Sequence, residues 1–306
     1  MKRFNIQALV YAGVFFTSLS SILIRLSDAP SLVIAFWRMA FSVLFLLPFV
    51  INKFPSEARK MEKKDFLLCL ASGLFLAVHF AAWITSLEYT SVSSSTVIVT
   101  MHPLLVVAAG FLLLGERITA RSLIFIITAL AGSVLLAMGD SRAGGAALYG
   151  DLLAGAGTVT IAAYFIIGRV VRQRMSAGLY TLIVYTTCTL FLLLASLAAG
   201  LPLTNYPARE FLIFIALAFF CTMLGHSIFN WALKYLEPVF VSTSILGEPV
   251  FASIMAVYFF REVPGVLNLS GAALVIAGLY LFMRNTPSGI KGKMNGDISS
   301  LQGQED

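Results

Sequence analysis

Charged side chains are scarce in this chain of 306 residues: Asp, Glu, Lys and Arg make up 12% of it, while hydrophobic residues make up 59%. A typical soluble domain is about 25% charged and about 45–50% apolar, so this chain has too little polar surface to cover a water-soluble globule. The composition excludes a soluble nucleic-acid-binding protein, a disordered tail protein and a secreted disulfide scaffold. We therefore predict no nucleic-acid partner, although the formal net charge is +6.

Cysteines and catalytic motifs are also missing or few. Cys69, Cys188 and Cys221 all fall in apolar segments, and their spacing matches neither a metal site nor a disulfide framework. The chain has no G-x-x-x-x-G-K-[ST] loop for ATP, no H-E-x-x-H zinc motif and no G-x-S-x-G nucleophile motif. These absences predict a protein that is not an enzyme and that uses no cofactor and no metal.

Long apolar runs are abundant. A helix that crosses a membrane needs about 20 mostly apolar residues, and the chain has ten such runs separated by short breaks that carry Pro, Gly or charge. The predicted fold class is therefore an all-α polytopic membrane protein with ten transmembrane helices. The predicted spans are approximately 5–24, 33–51, 66–86, 92–114, 121–139, 150–168, 178–199, 211–232, 239–260 and 266–283.

The second half of the chain repeats features of the first. Three residues recur 146 positions later, namely Pro103 as Pro249, Glu116 as Glu262, and Gly132 as Gly278. Five helices is an odd number, so the second copy enters the membrane inverted, an arrangement typical of secondary transporters. We predict one five-helix repeat at 1–140, a second at 145–285, and a disordered cytoplasmic tail at 286–306.

The basic residues predict the orientation. Of the 21 Lys and Arg residues, 16 fall on the N-terminal side of the predicted spans, four fall on the other side, and Arg38 lies inside a span. Cytoplasmic loops of membrane proteins carry an excess of Lys and Arg. We therefore predict a multi-pass protein of the cell inner (plasma) membrane with both termini in the cytoplasm.

Polar side chains inside the spans are the candidate functional residues, because they are costly in hydrocarbon unless they are satisfied. Several share one helical face at spacings of three, four or seven residues, and these faces should converge on a water-accessible cavity. The predicted substrate-binding residues are His79, Trp83, Tyr164, His226, Asn230 and Glu248. For the two histidines, which are symmetry mates, the alternative is a hydrogen bond that closes the bundle.

Glu248 and Arg38 are the charged residues well inside the spans. Glu248 lies about halfway along its helix, so it is our first candidate either for proton coupling, with His226 as the second, or for contact with a cationic group of the substrate. The alternative is a neutral carboxyl that packs helices. Arg38 lies about one turn from the outer end of its span, from where it could snorkel outward. Pro103 and Pro249 each remove a backbone donor and are predicted to kink their helices.

Motifs in both halves resemble those of EamA-type transporters, in the drug/metabolite transporter superfamily, over about residues 5–285. The residues that carry the resemblance are 86–92, Pro103 and 115–117 in the first half, and 225–226, 230–233, 246–249, 261–262 and Pro264 in the second. Arg38 also matches an arginine common in the second helix of that family. The resemblance implies inverted five-helix repeats, a central cavity, and export of small metabolites such as amino acids or related compounds. His79 and His102 replace the commoner apolar residues of that family.

We therefore predict a secondary transporter that works by alternating access, with a small molecule and the lipid bilayer as its partners. Two alternatives remain open from the sequence: a membrane-embedded enzyme that acts on a lipid-linked substrate, and a channel. Small-residue pairs such as Ala129 with Ser133 permit close helix packing but are too common to predict a dimer.

Overall fold

The computed structural model describes residues 3–52, 54–90, 92–115, 118–139, 147–260 and 265–285. The predicted tail at 286–306 and the repeat mates Glu116 and Glu262 lie outside these residues. Across the described ranges the secondary structure is helical. The helices are α1 (Arg3–Arg25), α2 (Ser31–Val50), α3 (Phe54–Ala58), α4 (Lys63–Tyr89), α5 (Val92–Thr100), α6 (His102–Leu114), α7 (Ala120–Gly139), α8 (Ala147–Arg172), α9 (Ala177–Ala198), α10 (Ala208–Ala216), α11 (Ser227–Ala232), α12 (Pro238–Ser244), α13 (Glu248–Phe260) and α14 (Val266–Asn285), with a π-helix at Leu217–His226 and a 3₁₀ turn at Ile245–Gly247.

The protein is an all-α polytopic membrane protein. Within the described ranges, seven helical stretches are long and apolar enough to cross a bilayer, and three shorter apolar helices cover 120–135, 238–252 and 269–282. The shorter helices fall in three of the predicted spans, so the count of ten transmembrane helices stays a prediction. The sequence did not predict α3, a five-residue helix in the loop between α2 and α4.

The helices pack mainly as pairs that join the two halves of the chain. The most extensive pairings are α7 with α14, α4 with α8, α2 with α9, and α1 with the π-helix. Glycines allow the close approach where α1 crosses the π-helix. A Cβ atom on Gly13 would lie 2.8 Å from the Phe229 ring, and one on Gly225 would lie 2.5 Å from Cγ2 of Thr17. Each half therefore depends on the other for its packing.

Two of the predicted spans are broken in the middle, and each break precedes a proline. In the first half, α5 ends at Thr100 and α6 begins at His102, one residue before Pro103. Proline has no N–H to offer the carbonyl four residues earlier, which here belongs to Val99. The Nδ1 atom of His102 lies 2.8 Å from that carbonyl and takes the place of the missing donor.

The second break repeats this arrangement with a tighter turn. Between Ser244 and Glu248 the chain forms the 3₁₀ turn, and α13 begins one residue before Pro249. The carbonyl that Pro249 leaves without its usual donor belongs to Ile245, and it accepts the backbone N–H of Glu248 instead. His102 and Glu248 are thus placed at equivalent breaks, 146 residues apart.

Candidate functional site: a polar cavity between the two halves

A small cavity lies where the two helix breaks and the end of the π-helix meet. Both halves of the chain line it, and the lining includes most of the polar side chains expected inside the spans. The lining residues are Thr17, Ser20, Arg38, His79, Trp83, Thr96, Val99, Thr100 and His102 from the first half, and Ile161, Phe165, His226, Phe229, Ile245 and Glu248 from the second.

All three histidines of the chain line this one cavity. The Nδ1 atom of His79 lies 3.0 Å from the carbonyl oxygen of Gly157. A carbonyl only accepts, so Nδ1 is the donor, and Nε2 of the neutral ring is left as an acceptor. The same ring stacks on Trp83, with 5.9 Å between the ring centroids and 9° between the planes. Stacking and hydrogen bond together fix the orientation of His79.

His102 and His226 have nitrogen atoms that are buried and unpartnered within the described residues. His102 donates from Nδ1 to the Val99 carbonyl and stacks on Phe165, while its Nε2 has no partner. His226 packs edge-on against Phe80 and Phe229, and its Nδ1 has no partner. A buried polar atom without a partner is costly, and in a cavity it is available to a ligand. No cluster of His, Cys, Asp or Glu in the described ranges is suited to hold a metal ion.

Two charged residues share the cavity with the histidines. Arg38 is fully buried and does not snorkel outward as one interpretation of the sequence allowed, because its guanidinium is held inside the bundle. Its Nε donates to Oγ1 of Thr222 at 2.9 Å, and its Nη1 donates to Oγ of Ser20 at 3.0 Å. Glu248 is half-buried and lines the same cavity.

The π-helix brings Thr222 to Arg38. The Thr222 hydroxyl lies 3.3 Å from the carbonyl oxygen of Leu217, five residues earlier. The ten-residue π-helix ends at His226, on the cavity wall. π-Helical segments are rare and occur mostly at functional sites, so this local distortion agrees with the position of the cavity.

Four of the six predicted substrate-binding residues line the cavity: His79, Trp83, His226 and Glu248. The structure places the other two outside this lining, in contact with each other. The hydroxyl of Tyr164 donates to Oδ1 of Asn230 at 2.5 Å, and Nδ2 of Asn230 lies 3.4 Å from Oγ1 of Thr181. Both side chains are fully buried. Their role in substrate binding stays a prediction.

We expect the Tyr164–Asn230 pair to contribute to stability in this conformation. Replacing Asn230 with alanine leaves the buried Tyr164 hydroxyl without an acceptor, which should cost about 1–3 kcal/mol. Unfolding of Tyr164→Phe, Asn230→Ala and the double variant in detergent measures the coupling, and the double variant should lose less than the sum of the singles. Tyr206→Phe, at a half-buried tyrosine that donates to the carbonyl of Pro202, is the control for removing a tyrosine hydroxyl. Strictly additive losses would contradict the expectation.

The end of α8 holds the end of α11 through side-chain donors. The backbone N–H of Leu233 donates to the carbonyl of Phe229, and that of Lys234 donates to the carbonyl of Trp231. The carbonyl of Asn230 between them therefore receives neither of these two N–H groups. Nε of Arg172 donates to that carbonyl at 2.9 Å, and Nη1 of the same guanidinium donates to the carbonyl of Met175.

Neighbouring donors complete this arrangement. Arg169 donates to the carbonyl of Leu233 at 2.9 Å, and Gln173 lies 3.5 Å from the same oxygen. Close by, α6 packs on α12. The contacts of Arg169, Arg172 and Gln173 hold the end of α8 against the end of α11 and the residues after it.

The sequence interpretation missed several lining residues. Ser20 was not selected, and nothing in the sequence distinguishes it from its neighbour Ser21, whose side chain points about 100° away on the helix. His102 was noted as polar but not selected. The 146-residue spacing that relates it to Glu248 was the available signal. Phe165 and Phe229 carry no polar group that could distinguish them from ordinary helix packing.

The fold and the cavity can now be compared with known proteins. The EamA-like transporter family matches residues 6–138 and 148–284. Similar proteins include an "Uncharacterized transporter" of Archaeoglobus fulgidus, 24% identical over 92% of this chain and 97% of that protein. Another is the "Uncharacterized transporter YyaM" of Bacillus subtilis, 26% identical over 91% of this chain and 93% of that protein. A solved crystal structure shares the fold with a TM-score of 0.76 at 14% identity, over 92% of this chain and 98% of that one.

Proposed function

Since the chain belongs to the EamA-like transporter family, we propose that it is a secondary transporter that exports small metabolites, such as amino acids or related compounds, across the cell membrane by alternating access. The observation that carries this proposal is the cavity. Charged and polar side chains are part of its lining, it lies between helices of both halves, and apolar helices surround it. Transporter sites of this kind are formed near the midplane by interrupted helices, as α5–α6 and α12–α13 are here.

The proposal includes an orientation and an internal symmetry. The excess of basic residues on the N-terminal side supports cytoplasmic termini in the cell inner membrane. The two family matches and the equivalent breaks before Pro103 and Pro249 support two inverted five-helix repeats, at 1–140 and 145–285. In alternating access the two halves rock about the cavity, so that it opens to one face at a time.

Efflux from proteoliposomes tests the transport function without knowledge of the substrate. Purified protein is reconstituted into liposomes loaded with a uniformly ¹³C-labelled extract of cell metabolites, and compounds that leave faster than from protein-free liposomes are identified by mass spectrometry. Acceleration of their efflux by unlabelled compound outside indicates a transporter. Efflux that does not respond to counter-flow indicates a channel, and chemical conversion of the solute indicates an enzyme. Absence of any accelerated efflux would overturn the proposal.

Glu248 provides the test of proton coupling. Its carboxylate shares the cavity with Arg38 and the three histidines, so a proton gained or lost there changes the charge that the substrate meets. We expect Glu248→Gln to retain exchange of the exported compound but to lose accumulation driven by an imposed pH gradient. His226→Gln, measured in the same assay, tests the second candidate.

Glu210→Gln is the matched control for this experiment. Glu210 is a buried carboxylate outside the cavity lining, where it accepts hydrogen bonds from the hydroxyl of Ser27 and the N–H of Asp28. Its substitution should leave gradient-driven accumulation unchanged. If Glu248→Gln still accumulates the compound as well as the unaltered protein does, Glu248 does not couple protons to transport.

A further inference from the structure

Arg38 and Glu248 are the two formally charged side chains among the residues that line the cavity. Arg38 lies on α2 in the first half of the chain, and Glu248 is the first residue of α13 in the second half. Arg38 is fully buried, and its Nε and Nη1 atoms donate to the neutral hydroxyls of Thr222 and Ser20. These hydroxyls hold the guanidinium in place but supply no opposite charge.

Glu248 carries the opposite formal charge. It acts electrostatically on Arg38, whereas the nearby Cys221, Tyr185 and Cys188 are uncharged at neutral pH. Charged residues inside membrane-spanning segments usually pair with one another, because a lone charge is costly there. Glu248 also lies at the N-terminus of α13, where a negative charge is favourable.

The two charges share the cavity without direct contact. Among the described residues, no nitrogen of Arg38 lies within 4.0 Å of a carboxylate oxygen. In a site shielded from water, opposite charges attract each other across a wider gap than in water, and a nearby cation favours the ionised form of a carboxyl. Because α2 and α13 belong to different halves of the chain, movement of the halves changes this gap.

Other titratable groups lie on the elements packed against α2 and α13. The carboxylates among them lie in the first or last turn of α4 or α10, where side chains of other elements bind them: Asp65, Glu88 and Glu210. The groups nearer the pair are the three cavity histidines, Tyr185 and Cys188 on α9, Cys221 on the π-helix and Tyr11 on α1, while Tyr280 and Arg284 on α14 are exposed. Since the histidines also titrate, a test by pH must separate them from Glu248.

We propose that Arg38 is the counter-cation of Glu248: it keeps the carboxylate ionised while the cavity holds no substrate, and it thereby sets the pH at which Glu248 takes up a proton. Arg38 is then a positioning residue that acts through Glu248. This inference rests on the proposed proton coupling and adds the residue that regulates it. Glu248 gains its proton more easily in whichever state places it farther from Arg38, and such a difference between states is what coupling requires.

A cycle of charge-removing substitutions tests the pairing without any substrate. Arg38→Gln and Glu248→Gln each leave one buried charge without its partner, so each should lower the unfolding temperature in a mildly alkaline detergent buffer by about 5 °C or more. The double variant removes both charges and should lose much less than the sum of the two. Additive losses would overturn the inference.

Arg172→Gln combined with Glu248→Gln is the matched control for this cycle. Arg172 is another buried arginine, but it lies outside the cavity lining, so its loss should add to that of Glu248→Gln. Should Arg38→Gln alone fail to fold, recovery of folded protein in Arg38→Gln/Glu248→Gln would support the pairing. Failure of that double variant as well would contradict it.

The pH profile of transport tests the regulatory role. A compound identified in the efflux assay is exchanged across proteoliposomes at equal pH on both sides, and the pH of half-maximal exchange is measured. In Arg38→Gln this midpoint should rise by about one pH unit, because the carboxyl keeps its proton to higher pH without a nearby cation. Arg38→Lys retains the charge and should stay close to the unaltered protein. Thr222→Val removes only a contact that holds Arg38, and it should do the same.

Glu248→Gln separates the carboxyl from the histidines in this measurement. It should lack the part of the pH dependence that is due to Glu248, and adding Arg38→Gln should cause no further shift. An unmoved midpoint in Arg38→Gln, or an equal shift in Thr222→Val, would overturn the inference and leave the transport function standing. An unchanged profile in Glu248→Gln would reject the proton coupling and this inference together. No exchange of any compound by the unaltered protein would reject the transport function and the inference with it.

Discussion

Replacing Gly132 or Gly278 with alanine is expected to prevent most of the protein from reaching its folded state. A Cβ atom on Gly132 would lie 2.6 Å from the backbone oxygen of Gly271 and 2.7 Å from the backbone nitrogen of Val275. One on Gly278 would lie 2.7 Å from the nitrogen of Ala129. The neighbours are backbone atoms, which cannot rotate away, so α7 and α14 must separate. Overpacking of this kind costs about 3 kcal/mol.

The effect can be measured as the yield of monodisperse protein in detergent and as its unfolding temperature. Gly155→Ala is the matched control, because nothing lies within 4 Å of the added atom on that helical glycine. Alanine favours helix over glycine by about 1 kcal/mol, so this control should be neutral or slightly stabilising. Equal unfolding temperatures for Gly132→Ala and Gly155→Ala would contradict the close packing of α7 on α14.

Replacing Arg172 with leucine should have the second large effect. This side chain is 2% exposed and donates to two backbone carbonyls, those of Asn230 and Met175. Leucine fills part of the space but leaves both carbonyls unpaired, at about 1–3 kcal/mol for each. It also removes a positive charge from the end of α11, where a cation is favourable. We expect a loss of about 3 kcal/mol in the free energy of unfolding, measured by denaturation in detergent.

Two further variants show whether the loss comes from these hydrogen bonds. Arg209→Leu removes an arginine whose side chain is 59% exposed, which pairs with Asp28, itself 89% exposed, and which also donates to the carbonyl of Leu26. Exposed pairs of this kind are worth about 0–1 kcal/mol, so its effect should be small. Arg172→Lys keeps the charge and can donate to one of the two carbonyls. Its free energy of unfolding should therefore lie between those of Arg172→Leu and the unaltered protein. A loss in Arg172→Leu no larger than in Arg209→Leu would rule out the assigned role.

The fold class followed from composition and from the length of the apolar runs, because hydrocarbon requires helices whose backbone groups are satisfied internally. The interruptions were harder to place. The prolines predicted bends. At Pro103, however, Nδ1 of His102 replaces the missing backbone donor, and this depends on side-chain geometry that residue spacing does not encode. Likewise, no sequence rule assigns a π-helix to Leu217–His226, the segment in which Thr222 meets Arg38 of α2.

The candidate site was predictable where a polar residue had no local way to be satisfied. His79, His226 and Glu248 were selected on that ground, and all line the cavity. Tyr164 and Asn230 looked equivalent in the sequence, yet they satisfy each other, and a pairing between residues 66 positions apart is visible only in three dimensions. Arg38 was underrated because its distance from the span end was considered without the hydroxyls of Ser20 and Thr222 that hold it.

The hydrogen bond between Tyr164 and Asn230 is not repeated by the equivalent residues of the first half. By the spacings of the repeat, Tyr164 is equivalent to Ser20, 144 residues earlier, and Asn230 is equivalent to Trp83, 147 residues earlier. Ser20 and Trp83 face the cavity, whereas their mates are closed upon each other. In the arrangement that we propose, two inverted copies, exchanging the conformations of the copies produces the opposite state. We therefore expect the Tyr164–Asn230 hydrogen bond to break in that opposite state. Both side chains would then be exposed to solute that arrives from the face where α1 begins.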